Sequence, residues 1–218
     1  MAAGLTNSQV RKYFDKHAAR YDRQMGFCER HLLGEHRGWA TSQASGDVLE
    51  LAIGTGLNLP LYPPTARRVV GVELSEGMVN LARTRINEGG IGDRVEVTQG
   101  DVQNLDLPDE SFDTVLSTYT VCTIPSPEAA LAQAWRVLRP GGRLILVEHG
   151  PAKRQWVRAG QHLVNPLSVR FQADHILRDP LPLALDAGFD IVDSDQTGWS
   201  GLVYRVVAAK RQAAQLRT

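Results

Sequence analysis

Cysteine is scarce in this chain, and the two that occur, Cys28 and Cys122, stand far apart with no CxxC spacing and no cysteine–histidine cluster. That pattern gives neither a disulfide framework nor a zinc motif, so reduced thiols in a cytosolic protein are expected. Net charge is missing too. Lys+Arg 24 balance Asp+Glu 24, which leaves no electrostatic case for a nucleic-acid partner. No apolar run approaches membrane-spanning length, and the opening MAAGLTNSQVRKYFDKHAARYD is too polar for a signal peptide. A soluble, intracellular protein is expected, with peripheral membrane contact left open. No pair of acids has a spacing that demands Mg²⁺, so no metal is expected.

What is present centres on VLELAIGTGLNLPLY, Val48 to Tyr62. An apolar run stops at Gly54-Thr55-Gly56 and passes into a segment that can start a helix. Strand, glycine turn and helix together let backbone N–H groups approach a polar ligand with no Cβ in the way. Glu73 then ends a second apolar run and Asp101 follows a third. Either acid alone could be merely solvated; the two together after this turn make a site.

Strands are expected at Val48–Ile53, Arg68–Leu74, Val95–Gln99, Thr114–Thr118 and Arg143–Glu148, nearly unbroken in apolar character and so covered on both faces. Helices are expected at Leu57–Leu61, Gly77–Asn87 and Glu128–Leu138, the last stopped by Pro140-Gly141-Gly142. The alternation implies an α/β fold, a Rossmann-like, doubly wound, mostly parallel sheet. Phe189–Asp193 and Leu202–Ala209 are too close for a helical crossover and are expected as antiparallel neighbours. The chain thus reads as one domain of 218 residues: a helical cap over 1–45, a cofactor core over 46–150, an aperiodic substrate insert or lid over 151–176, and a C-terminal helix and hairpin over 177–209. The tail from Lys210 is expected to fray.

An acid after a glycine turn suits an adenosine ribose, which nicotinamide dinucleotides and S-adenosylmethionine share. The dinucleotide fingerprint wants a third glycine where this chain has Leu59, so the methionine-bearing ligand is favoured. The runs LELAIGTGLN, GVELSEGMVNLAR, QGDVQNLDLPDESFDTVLST and AWRVLRPGGRLILVEHG resemble class I S-adenosylmethionine-dependent methyltransferases, and more narrowly the ubiquinone/menaquinone-biosynthesis type. The resemblance implies seven strands with the last antiparallel. By position it implies cofactor contacts from Glu50, Ala52, Gly54, Gly56, Glu73 (ribose), Leu74, Met78, Asp101 (adenine amino group), Val102 and Thr118. YFDKHAARYD resembles the family's entry motif, with Tyr13 and Tyr21 closing over the cofactor. Ala52 stands where the family usually has glycine and is small enough to keep the turn.

Methyl transfer from a sulfonium needs alignment, a dry pocket and a deprotonated acceptor. His149 is the candidate base, because its ordinary pKa is near operating pH; capping the strand end is the competing role. Tyr119, Cys122, Glu148, His162, Phe171 and His175, with Trp156, Trp199 and Tyr204, are candidates for the acceptor pocket. Small-molecule or lipid-like acceptors fit, methylated on oxygen, nitrogen or sulfur; segments such as TYTVCTIPSPEAAL resemble bacterial phosphatidylethanolamine N-methyltransferases and a membrane-associated family of thiol methyltransferases. A nicotinamide oxidoreductase is disfavoured by Leu59 and by the lack of a Tyr-x-x-x-Lys pair. A non-catalytic adenosyl-binding module is the other rival. The sequence leaves the oligomeric state open.

Overall fold

The apolar runs become seven strands: β1 (Gly46–Leu51), β2 (Ala66–Glu73), β3 (Val95–Gln99), β4 (Phe112–Thr118), β5 (Leu138–His149), β6 (Asp190–Thr197) and β7 (Val203–Ala209). The computed structural model describes residues 5–211; the tail from Gln212 lies outside the described residues. The strands form one sheet in the order β3-β2-β1-β4-β5-β7-β6. β1 to β5 pair in parallel, and β7 runs antiparallel to both β5 and β6. The reversed strand, last in sequence, therefore lies inside the sheet rather than at its edge.

Among the described residues six α-helices complete the fold: α1 (Asn7–Cys28), α2 (Arg37–Ser42), α3 (Glu76–Gly89), α4 (Pro127–Val137), α5 (Gln155–Gln172) and α6 (Pro180–Asp186). Successive strand residues point to opposite faces and so build two cores. Leu49, Leu51, Val70, Val72, Leu144 and Leu146 pack with α4 and α6 residues such as Leu131, Val137 and Ala184. Val48, Val69, Ile145 and Val147 pack on the other face with Ala40 of α2 and Val79, Ala82 and Ile86 of α3. Burial on both faces is why the runs lack polar alternation. Among the described residues no helix is long and apolar enough to cross a membrane.

Three local expectations change. The helix anticipated at Leu57–Leu61 is a single 3₁₀ turn, Leu59–Leu61. Pro60, Pro63 and Pro64 remove the N–H groups a longer helix needs, so no helix N-terminus underlies the glycine turn. The Pro140-Gly141-Gly142 stop lies within β5, which begins at Leu138 opposite Phe112 and shifts register before Thr114. The aperiodic insert is largely the regular helix α5, which runs through Pro166. Only Val157 and Ser168 of it are buried, so its apolar residues form no core-facing stripe to read.

β1 hands over to the glycine turn through Ala52 at φ 45°. For a residue with a Cβ this left-handed conformation costs about 1–2 kcal/mol, partly offset by glycine's greater freedom in the unfolded chain. Ala52→Gly should therefore raise stability by roughly 0.5–1 kcal/mol in chemical denaturation. An unchanged or lowered midpoint would show that position 52 carries no strain.

Candidate functional site

Strand order reverses between β1 and β4, and in such sheets the crevice beyond the strand ends at that point receives ligands. The turn after β1 lies there. Gly54 N–H donates to Glu73 Oε2 at 3.1 Å and Ser75 N–H to Glu73 Oε1 at 2.8 Å, so one buried carboxylate ties together the ends of β1 and β2. Gly54 has φ 60°, and a Cβ built on it would meet nothing within 4 Å; it would project into a pocket lined by Ala52, Glu73, Leu74, Met78, Asp101 and Val102 together with Tyr21 and Tyr119.

Helix α1 lies over this pocket and buries only Val10 and Ala18. Polar clasps hold it instead. Asn7 Nδ2 donates to Asp101 Oδ2 at 2.6 Å. Asp15 accepts from Ser75 Oγ at 2.6 Å and from Gly77 N–H at 3.1 Å. Asp22 accepts from Thr55 Oγ1 at 2.6 Å and from Arg85 Nη2 at 2.6 Å. Asp101 also accepts from Gln103 N–H at 2.9 Å and Nε2 at 2.8 Å.

Thr118, Tyr21 and Arg37 line a small recess beside Gly54. Arg37 is fixed there by Glu29 at 2.6 Å, donates to Thr118 Oγ1 at 3.0 Å, and stacks over the Tyr119 ring at 5.3 Å. Gly56 supports the turn without lining the pocket. Glu50 does not line it either. Its buried carboxylate accepts from Asn58 Nδ2 at 2.7 Å and Tyr62 O–H at 2.7 Å, under the turn. Burial pushes Glu50 up to about 7, against the lowering effect of those donors and Arg37.

Next to this first pocket is a chamber of about 180 Å³ bordered by Tyr13, Tyr21, Tyr119, Cys122, His149 and Asp174. Tyr13, stacked on His17 at 4.2 Å, faces this chamber rather than the first pocket. His149 Nε2 lies 3.1 Å from Asp174 Oδ1. Burial alone would lower the His149 pKa, but Asp174 outweighs it and holds the imidazole above its ordinary value. Burial would raise Asp174; the imidazole outweighs that and keeps the carboxylate below its usual range. Burial pushes the Cys122 thiol well up, and Asp174 adds to the effect. Tyr119 sits at φ 55°, with its hydroxyl buried and unpartnered.

Glu148, expected at the acceptor, turns away into the protein. It accepts from Ser117 Oγ at 2.7 Å, Thr120 N–H at 2.8 Å and Val121 N–H at 3.1 Å, and so fastens the loop after β4. Burial lifts it to about 7 despite those donors. His162 is exposed, Phe171 is 64% exposed, and neither borders the chamber. His175 is half-buried, and its backbone N–H donates to Cys122 O at 3.0 Å. Beyond His149 the chamber opens into an apolar groove of about 650 Å³ walled by Leu32, Leu33, Trp156, Val157, Val164 and Trp199. Tyr204 lies outside the groove, its O–H donating to Pro151 O at 3.0 Å.

Asp174 and Arg37 were invisible to sequence reasoning. Asp174 is brought round by the C-cap of α5, where Ala173 adopts φ 55°, and Arg37 comes from a helix more than a dozen residues before the glycine turn. Nothing local in either segment signals a ligand.

Residues 49–146 match the family profile described as Methyltransferase domain. A phosphatidylethanolamine N-methyltransferase of Cereibacter sphaeroides is 41% identical over 104 residues, 48% of this chain and 51% of that protein. A ubiquinone/menaquinone biosynthesis C-methyltransferase of Hahella chejuensis is 32% identical over 151 residues, 65% of this chain and 59% of that protein. This chain thus spans between half and three fifths of the length of those relatives. The crystal structure of a [4+2]-cyclase superposes with a TM-score of 0.76 over 98% of this chain and 99% of that one at 19% identity, a likeness of fold alone. Residues 49–146 thus match the Methyltransferase domain family and resemble the corresponding part of these methyltransferases, on the fold, glycine turn and paired acids described above.

Glu50 makes a pH prediction. A carboxyl raised to about 7 in the native state binds its proton more tightly there than in the unfolded chain, so stability falls as pH rises from the ordinary carboxylate range through 7. Glu50's share is on the order of 3 kcal/mol across that window. In denaturation series at stepped pH, Glu50→Gln should flatten the decline by that share. An unaltered slope would mean that Glu50 is ionised at neutral pH without penalty.

Proposed function

We propose that this chain transfers the methyl group of S-adenosylmethionine to an oxygen, nitrogen or sulfur of a small amphipathic or aromatic acceptor. One observation carries the reading: three spaces run into one another. Tyr21 and Tyr119 border both the first pocket and the chamber, while Cys28, Leu33, His149 and Asp174 border both the chamber and the apolar groove. A methyl donor in the first space and an apolar acceptor in the last would meet in the middle.

The lining of the first pocket supports the cofactor. Each Glu73 oxygen takes one backbone N–H and keeps lone pairs for ribose hydroxyls. Asp101 suits the adenine amino group, Leu74, Met78 and Val102 its ring faces, and the bare Gly54 backbone, with Ala52, the methionine, while Gly56 holds the turn from behind. Tyr21 and Thr118 belong at the methionine end, where Arg37 offers its carboxylate a cation, and Tyr13 stands over the adjoining chamber. Bound there, the cofactor supplies an electrophilic methyl with a neutral thioether as leaving group. The chain's residues align the acceptor, keep water out and take charge of its proton, which falls to the cluster at His149. A dinucleotide fits less well. Leu59 packs onto Gly56 so closely that a Cβ there would lie 2.7 Å from Leu59 Cδ1, and no helix N-terminus waits for a pyrophosphate.

The groove supports a lipid-like or aromatic acceptor body. Beside it, α5 exposes Trp156, Leu163, Leu167 and Phe171, flanked by exposed Lys153, Arg154, Arg158 and Arg170. That combination suits contact with an anionic lipid surface. The quinone and phospholipid acceptors in the names of the relatives belong to those proteins, and both have long apolar bodies.

Calorimetry should register S-adenosylmethionine and S-adenosylhomocysteine binding, with Glu73→Ala weaker for both by about 1.5–3 kcal/mol, roughly ten- to hundredfold. Equal affinity in a folded variant would remove Glu73 from the ribose.

For the acceptor, an amine, a phenol and a thiol, each with and without a long alkyl tail, should be offered and S-adenosylhomocysteine release followed. One tailed acceptor should turn over, faster when presented in anionic vesicles, and Leu163→Glu should abolish that gain while sparing the short soluble analogue. Cofactor binding without turnover of any acceptor would leave a binding module; a gain that survives Leu163→Glu would detach α5 from lipid.

A further inference from the structure

Three side chains from distant parts of the sequence converge in the chamber. Cys122 sits in the turn after β4, His149 at the end of β5, and Asp174 just past α5; one ligand atom from each lies within 4.8 Å of the other two. We propose that Cys122, His149 and Asp174 form a binding site for a soft divalent cation, of the chemistry of zinc or cobalt(II), with a fourth position open to the chamber.

The geometry within the cluster argues for it. His149 Nε2 and Asp174 Oδ1 are 3.1 Å apart, yet the carboxylate oxygen is buried and has no hydrogen-bond partner. Neighbouring ligands of a tetrahedral ion with bonds of about 2.0–2.1 Å are separated by roughly 3.3 Å and aim at a common third point. The backbone holds them there. His175 N–H donates to Cys122 O at 3.0 Å, and Arg178 Nη1 donates to Val121 O at 2.5 Å and Ile124 O at 2.7 Å, locking the segment after Asp174 onto the turn that carries Cys122. One sulfur, one nitrogen and one oxygen select against magnesium and calcium and for a borderline-soft ion. A thiolate, a neutral imidazole and a carboxylate also cancel a double positive charge, which removes the cost of burying any of them alone.

Three protein ligands and an open position are the arrangement of catalytic rather than structural sites. The open position adjoins the methyl donor's pocket, and here the inference deepens the methyltransferase reading: it favours a thiol acceptor. The acceptor's S–H proton leaves to solvent as its sulfur docks at the cation. A sulfur lone pair then forms the S–CH₃ bond while the cofactor's sulfonium C–S bond breaks, leaving a thioether and S-adenosylhomocysteine. Metal uptake itself is independent of that reading.

The test is a cobalt(II) titration of the full chain after chelator treatment. One equivalent should bind, with a thiolate-to-cobalt charge-transfer band and the intense visible bands of tetrahedral cobalt, and zinc should displace it. Cys122→Ser should abolish the charge-transfer band and Cys28→Ser should leave it. His149→Ala and Asp174→Asn should each weaken binding by more than the roughly 10–100-fold typical of losing an outer-shell partner. Because these variants share a buried cluster, the unaltered protein gives a second readout: cobalt should protect Cys122, and not Cys28, from alkylation read by peptide mass. Absence of stoichiometric uptake, a band that follows Cys28, or equal alkylation with and without metal would overturn the site. Should uptake fail while His149→Ala still impairs turnover, the methyltransferase reading survives with His149 as a base and the metal inference falls.

Discussion

The carboxylate of Glu73 is what the rest of this site is built around. By accepting from Gly54 and Ser75 it makes the ends of two adjacent strands one rigid unit, and it does so while buried, where those two N–H groups supply much of what water would have given. With the turn fixed, its backbone is bare where a ligand must come close. Asp101 on the next strand end then falls at the far side of the same pocket. Arg37, Thr118 and Tyr119 assemble on the other flank because β4 is the neighbour of β1 at the point where the sheet's order reverses.

The two sides of the chamber are held by opposite kinds of force. Over the first pocket, α1 is attached by hydrogen bonds and ion pairs from Asn7, Asp15 and Asp22 and fully buries only Val10 and Ala18. Such contacts are worth little individually in water and exchange readily for solvent. The groove beyond the chamber is walled by tryptophan, leucine and valine, where attraction is non-directional and proportional to area. A polar cover suits a ligand that must enter and leave each turnover; an apolar groove suits acceptors recognised by bulk rather than by functional group.

Much of this was legible in the residues. That Gly54, Glu73 and Asp101 come to one pocket could be anticipated because each is fixed by where a strand ends, and strand ends are written locally as the limit of an apolar run. The antiparallel hairpin was legible from loop length alone. The missing helix after β1 had a signal, Pro60 with Pro63 and Pro64, that outweighed the general strand–turn–helix pattern. Helix α5 was hidden for a different reason. Periodicity reveals a helix through the stripe it turns to the core, and this one turns almost nothing inward. Asp174 and Arg37 could not be read at all, since their meaning comes only from Cys122, His149 and Thr118 arriving from elsewhere in the chain. Glu50 was expected at the site from the resemblance and Glu148 from its place at a strand end, but side-chain direction on a pleated strand decides between pocket and interior, and both point inward.

The placement of β7 between β5 and β6 also governs how the chain must come together. β5 has its final neighbour only when residues up to Ala209 have been made, so a growing chain that has passed His149 carries an open, strongly apolar strand edge for some sixty residues of synthesis. Such an edge is a template for pairing with the wrong chain. The hairpin of β6 and β7 is thus less an appendage than a closing stitch, and β6, which becomes the border strand in its place, carries Asp190, Asp193 and Asp195. The sheet trades a sticky edge for a charged one at the last step of its assembly.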